Sequence, residues 1–294
     1  MPSSASLRFA SAVSERVDTK AAVREAVAGL SLPDNAPPDL VLVHASAHHA
    51  ASYPMLATYL LEALGATGAT RIAGCSAAGV VGAGRELEHR EGLSITAMHL
   101  PDTRVHLVRL PTIPESDSAE TYRQLVGPTV SDTPHFLLYV DPHTEGVERL
   151  LRGLDAAFPN AVKAGGLVSG YDEDRGATLF VDERIDSTGA LLVVLDGGLE
   201  LHAVVAQGCK PVGYACIVTR ARGNLIADTN AGKPAELLRT LYDKLDARDQ
   251  QLWSTSLFLG IEMRSQSTAY TTGDFLVRNI LGVDRESGAL AVDT

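Results

Sequence analysis

One pattern constrains this chain more than any other. A strand-length apolar run occurs twice, each time in the same setting. Leu40–Ala45 is apolar except for His44 and rich in Val and Leu, which suits a strand buried on both faces. Met55, Leu56, Tyr59, Leu60, Ala63 and Leu64 follow at helical spacing, Gly65 is a good stop, and Arg71–Gly74 begins another strand. About 95 residues later His135–Val140 is the buried strand again. A helical set comes next, Val147, Leu150, Leu151, Leu154 and Phe158, then the glycine-rich Ala161–Gly170. Two β-α-β units require parallel strands joined by helical crossovers. GCSAAG aligns with GGLVSG, and GLSITAM with GALLVVL, at similar offsets. The expectation is an internal duplication, two halves of one lobe. The competing reading is that any two β-α-β units look alike at this level.

The remaining segments fill in a mixed α/β class. Val17–Leu30 reads as a helix with Asp18 as N-cap, and Ser52 and Thr144 are read as caps of the two helices above. Ser31–Asp39 holds three prolines and reads as a loop. After Gly208 the texture changes to shorter elements. Cys216–Arg220 and Leu225–Asp228 form a hairpin through Gly223–Asn224, Gly232–Pro234 opens a helix, and Leu257–Met263, Phe275–Ile280 and Ala289–Val292 are strand candidates. Strands outnumber helices too heavily for one doubly wound sheet. The expected architecture is therefore layered mixed sheets with outer helices, the first lobe duplicated, plus a smaller C-terminal α/β lobe. The domains are residues 1–207 and 208–294.

Composition removes several function classes. The 294 residues carry 25 Lys+Arg against 36 Asp+Glu, a net charge of −11, with no basic run, so no nucleic-acid partner is expected. The longest apolar runs, such as Leu191–Leu195, are strand-length and fall short of the roughly 20 residues a span needs, so no membrane role is expected. Cys75, Cys209 and Cys216 cannot all pair and form no C-x-x-C motif. Without a signal-peptide pattern at the N-terminus, this points to a reducing, cytoplasmic setting.

Few residues stand out chemically. Gly74–Gly84 follows a strand but lacks G-x-G-x-x-G and a following amphipathic helix, so no dinucleotide site is indicated. His48 and His49 lie just past the first buried strand, and Asp141 and His143 occupy the equivalent place after the second, where α/β sheets prefer to hold ligands. His44 and His48 have H-x-x-x-H spacing, which joins imidazoles only on a helix, whereas His44 lies in a strand. Cys75 and Ser76 could be nucleophiles, but no G-x-S-x-G elbow or base partner accompanies them. The acidic run Asp172–Asp174 with Arg175 reads as a solvated hairpin tip. The ligand-binding candidates are thus His48, His49, Cys75, Ser76, Asp141 and Ser169, with no metal site and no catalytic constellation.

Four segments, Phe9–Val27, DLVLVHASAHHA (Asp39–Ala50), GCSAAGVVGAGRELE (Gly74–Glu88) and GLSITAMHLP (Gly92–Pro101), resemble the N-terminal FIST domain in order and spacing. QGCKPVG (Gln207–Gly213), VTRARGNLI (Val218–Ile226) and AGKPAELL (Ala231–Leu238) resemble the start of the C-terminal FIST domain. The resemblance implies a sensory, ligand-binding role in signal transduction, with a small ligand such as an amino acid and a signalling protein as partner. Some bacterial members are similar to haem-dependent nitric-oxide sensors, so haem binding is a second expectation. A thiol- or serine-dependent hydrolase using Cys75 or Ser76 is a third. The sequence lacks a fused kinase, cyclase or F-box segment. It is also expected to stop inside the second domain, leaving an unpaired strand edge and an exposed apolar patch there.

Overall fold

The computed structural model describes residues 6–31, 37–66, 69–170, 176–204, 209–262 and 275–293. The Asp172–Asp174 run with Arg175, Gln207–Gly208 at the expected domain boundary, and Met263 lie outside them. The chain divides into two compact units, Met1–Ala203 and Val204–Thr294.

The first unit opens with β1 (Arg8–Ser14), α1 (Thr19–Ala28), β2 (Leu40–Ser46), a 3-10 segment (Ala47–Met55), α2 (Leu56–Leu64) and β3 (Arg71–Ala77). The hairpin β4 (Gly79–Gly82)–β5 (Arg85–Glu88) and then β6 (Leu93–His99) complete the first half. The series then repeats as β7 (Thr103–Leu110), α3 (Ala119–Val126), β8 (His135–Val140), α4 (Val147–Ala157) and β9 (Lys163–Leu167), with the hairpin β10 (Leu179–Val181)–β11 (Arg184–Asp186) and β12 (Ala190–Gly197). One sheet runs β1-β6-β2-β3-β10-β11 and the other β7-β12-β8-β9. The pairs β2/β3 and β8/β9 are parallel and all other neighbours antiparallel. The expected duplication is present strand for strand.

Side-chain alternation along the strands builds four layers. On β2, Val41 and Val43 face α1 and α2, packing with Val23, Leu56 and Leu60. Leu40 and Leu42 face the other way, into a core shared with Leu191, Val193 and Leu195 of β12. On β8, Phe136, Leu138 and Val140 face α3 and α4. The sheets therefore lie face to face with helices outside each. The symmetry breaks at the hairpins. β10 leaves its own half and pairs antiparallel with β3 of the other, placing Leu179 opposite Cys75, Phe180 opposite Gly74 and Val181 opposite Ala73.

Local signals held where a cap was unambiguous. Asp18 accepts from the Ala21 amide at 2.7 Å, and Gly65 stops α2 in a left-handed conformation. Two expected caps are corrected. Ser52 lies inside the 3-10 segment and begins no helix. Thr144 gives its hydroxyl to Asp141, and α4 starts after Gly146, which has a left-handed φ of 87°. Short-range spacing shows which residues can cap, but tertiary contacts decide which backbone groups are free to be capped.

The second unit contains β13 (Val218–Arg222), β14 (Leu225–Thr229), α5 (Pro234–Tyr242), α6 (Ala247–Ser256), β15 (Phe258–Glu262), β16 (Phe275–Val283) and β17 (Leu290–Val292). Its sheet order is β13-β14-β17-β16-β15. The last strand, β17, is the central one and is bonded on both sides, and among the described residues the outer strands are β13 and β15, the latter carrying Phe258. Among the described residues of this unit only Pro234, Ala289, Leu290 and Val292 are buried, while Tyr214, Ile217, Phe258, Ile261 and Leu281 are exposed. An apolar surface is present here as expected. No helix among the described residues is long and apolar enough to cross a membrane.

Candidate functional site

A cleft of about 330 Å³ opens between the parallel pair β2/β3 of one sheet and the parallel pair β8/β9 of the other. Period-two alternation places its walls. His44 follows Leu42 on the inward face of β2, and Tyr139 follows Leu137 on the inward face of β8. Cys75 is the register partner of His44, and Gly166 is that of Tyr139. His44 and Tyr139 therefore hold equivalent places in the two halves, and their rings meet with centroids 5.7 Å apart.

The cleft is desolvating and uncharged. Burial lowers the pKa of His44, keeping its imidazole neutral at pH 7, and raises the hydroxyl of Tyr139 far above the usual phenol range. Burial also pushes the Cys75 thiol up to about 12. Among the described residues no Asp, Glu, Lys or Arg lines the space. Neither the His44 ring nitrogens nor the Tyr139 hydroxyl makes a hydrogen bond among the described residues. Uncommitted polar atoms in a mostly apolar concavity are what a ligand site offers.

Three of the six expected site residues, Cys75, Ser76 and Ser169, line this cleft. Ser76 is fully buried and committed. Its hydroxyl donates to the Ser169 carbonyl at 2.9 Å and accepts from the Thr178 amide at 2.9 Å. The Ser169 hydroxyl accepts from the Ala78 amide at 3.0 Å. Together they tie the end of β3 to the turn after β9. Of the three, Cys75 alone presents its side chain without such a commitment.

The other three lie away from the cleft, at the strand ends. His48 is exposed, with Nδ1 3.3 Å from the Ser46 hydroxyl. His49 is buried, with Nδ1 3.0 Å from the Thr19 hydroxyl and Nε2 without a partner among the described residues. Burial first, and then neighbouring His48, lower its pKa, against smaller opposing effects of Glu91 and Asp18. Asp141 is buried and accepts from the Thr144 hydroxyl at 3.1 Å, while Thr144 also accepts from the Gly189 amide at 2.9 Å. It organises a turn. Sequence reasoning passed over Tyr139 and weighed His44 only for its spacing to His48. The available signal was that each is the polar member of an otherwise apolar strand, at the matching position of the repeat.

The donor set does not suit haem. Among the described residues lining the cleft His44 is the one histidine, the Tyr139 ring stands against it, and no cation is present to meet the propionates. Among the described residues no cluster of three or more His, Cys, Asp or Glu could hold a metal ion.

Relatives place the chain. An uncharacterised protein of Mycobacterium bovis is 34% identical over 157 residues, which is 53% of this chain and 40% of that protein. An uncharacterised protein of Mycobacterium tuberculosis is 28% identical over 291 residues, 97% of this chain and 73% of that one. The chain thus spans about two fifths of the first relative's length. A solved structure of cyanuric acid hydrolase from A. caulinodans covers 65% of this chain and 71% of its own, at a TM-score of 0.31 and 10% identity, too distant to bear on activity. The FIST N domain profile matches residues 39–230, which include every residue lining the cleft. The likeness of Gln207–Gly213, Val218–Ile226 and Ala231–Leu238 to the start of a FIST C domain rests on the sequence alone, and the first two of these fall inside the FIST N match. With well over half its length matched, from β2 through the last strand of the two-sheet lobe, the chain belongs to the FIST family of sensory, signal-transduction-type domains.

Proposed function

We propose that the first unit is a small-molecule sensor whose ligand sits in the cleft between β2/β3 and β8/β9 and is uncharged. The observation that carries this is the facing pair His44 and Tyr139, neutral, desolvated and without hydrogen-bond partners among the described residues. A neutral imidazole offers one donor and one acceptor, and a phenol offers both. A free amino acid would bring two charges that no described residue lining the cleft could pair, at a cost that burial makes large. The reading is therefore a neutral, polar, compact molecule in place of the amino acid suggested by the family resemblance. Hydrolysis fits poorly with a thiol held near 12 and a serine whose hydroxyl is already committed. A signalling protein as partner and a cytoplasmic location, with all three cysteines free thiols, belong to the same reading.

Thermal-shift screening against neutral amides, ureas and ring compounds, with zwitterionic amino acids alongside, tests it. A ligand at a hundred times its dissociation constant stabilises by about 2.7 kcal/mol. Tyr139→Phe should abolish the shift while leaving the unliganded Tm unchanged, because the hydroxyl it removes makes no hydrogen bond among the described residues. Absence of any shift across the panel, or a shift confined to zwitterions, would overturn the reading.

A further inference from the structure

We propose that the outer edge of β9 is a docking edge for an extended segment of a partner protein. That segment is apolar and centred on an aromatic residue, and it pairs antiparallel to Ala164–Gly166. The internal symmetry of the first unit shows what such an edge takes. β3 and β9 are equivalent strands, each the parallel neighbour of the buried strand of its half. β3 is covered by β10, whose Leu179-Phe180-Val181 lies opposite Cys75, Gly74 and Ala73. The equivalent positions on β9 are Gly166, Gly165 and Ala164.

Among the described residues β9 pairs with β8 alone. Gly165 and Gly166 are exposed, and Leu167 is 61% exposed. The hairpin that could have covered it, β4–β5, folds back over its own half. The Val81 carbonyl accepts from the Ser94 hydroxyl at 2.6 Å, and Val80 and Leu87 pack with Val13. An exposed edge is a template for strand addition unless charge or proline blunts it. Here Ala164–Leu167 carries neither, and Lys163 at the start of β9 is drawn off the edge to Asp155 and the Phe158 carbonyl; peptide recognition by strand addition uses such an edge.

The chemistry of the occupant follows from β10. Phe180 lies beside Gly74 and packs edge-on against Tyr53, with centroids 5.0 Å apart. A large aromatic over a strand glycine restores the contact the missing side chain lacks. Leu179 and Val181 point instead into the core between the sheets. A segment on β9 would likewise set its aromatic beside Gly165 and turn its flanking residues toward the inter-sheet space, beside the cleft.

The probe is a fluorescein-labelled peptide copying residues 177–186, the chain's own solution to this edge, added to the full chain. Fluorescence anisotropy should show saturable binding, weakened at least tenfold when the phenylalanine is replaced by serine. Leu167→Lys, a substitution at an exposed position, should weaken binding similarly without changing the circular dichroism spectrum, and Leu167→Val should restore it. Hydrogen exchange should show new protection at residues 164–167. No saturable binding overturns the proposal. So does binding that alters exchange only at residues 73–75, since the peptide would then be replacing β10. Protection of 164–167 without peptide, together with a concentration-dependent dimer in sedimentation, also overturns it, because the occupant would be a second copy.

Discussion

Gly74 and Gly165 occupy the same place in the two halves of the first unit. Their φ angles are 151° and 153°. A Cβ on Gly74 would lie 1.8 Å from the Val43 carbonyl oxygen, and one on Gly165 would lie 2.0 Å from that of Leu138. Each carbonyl belongs to the register partner on the neighbouring parallel strand, so the same close approach is built twice.

Gly74→Ala and Gly165→Ala should therefore destabilise the first unit by about 3 kcal/mol or more each, since the obstructing atom is backbone and cannot step aside. Gly166→Ala is the matched control. Its added methyl meets nothing within 4 Å, and its effect should stay within about 0.5 kcal/mol. Urea midpoints of the three variants decide this. Equal effects at residues 165 and 166 would remove the steric argument.

Ser76→Ala should cost about 1–3 kcal/mol, because it leaves the buried Thr178 amide without its hydroxyl acceptor. Ser169→Ala should cost less than about 1 kcal/mol, because Ala78 is exposed and water can replace the lost acceptor. Chemical denaturation of both variants gives the comparison. The expected order is a larger loss at residue 76.

Stability should fall as pH drops below the ordinary histidine value of 6.5. The pKa values of His44 and His49 are lower in the folded chain than in the unfolded one. Below 6.5 the unfolded state therefore binds more protons, and stability declines until the folded values are reached. Each residue contributes a slope of at most about 1.4 kcal/mol per pH unit. Glu25 and Asp196, whose pKa values are lowered on folding, lose their contributions only below the carboxylate range, so the two steps separate. Denaturation midpoints from pH 7.5 to 5 should show the slope. His49→Gln should reduce it.

Iodoacetamide at pH 8 should label Cys209 and Cys216, both exposed, well before the buried Cys75. A thiol held near 12 carries on the order of a thousandfold less thiolate than an ordinary one near 8.5. Mass spectrometry of the native chain checks the order. Cys75 reacting first would revive the hydrolase reading.

Much of this molecule is local enough to read along the chain. The runs Leu40–Ala45 and His135–Val140 declared themselves as strands because burial on one or both faces demands continuous or alternating apolar residues. The aligned glycines at 74 and 165 declared the repeat because no other residue fits there. Cys75, Ser76 and Ser169 were read as neighbours of a site because they follow those glycines, and all three line the cleft. His48, His49 and Asp141 were read from strand ends, where polar residues serve equally well as local partners: His48 meets Ser46 and Asp141 meets Thr144, while His49 reaches Thr19 of α1.

By itself, then, the sequence marked the buried strands, the helices that follow them and the glycine turns, and raised the repeat as one of two readings, since backbone sterics and the period of burial act within a few residues; β7, α3 and α6 carried no such mark. Only the tertiary structure decided that β10 crosses to β3, that Ser76 is spent on Ser169 and Thr178, and that His44 meets Tyr139. Those partners lie about a hundred residues apart. Their meeting depends on how two sheets pack face to face, and the spacing of residues along one strand carries no record of which strand will stand opposite.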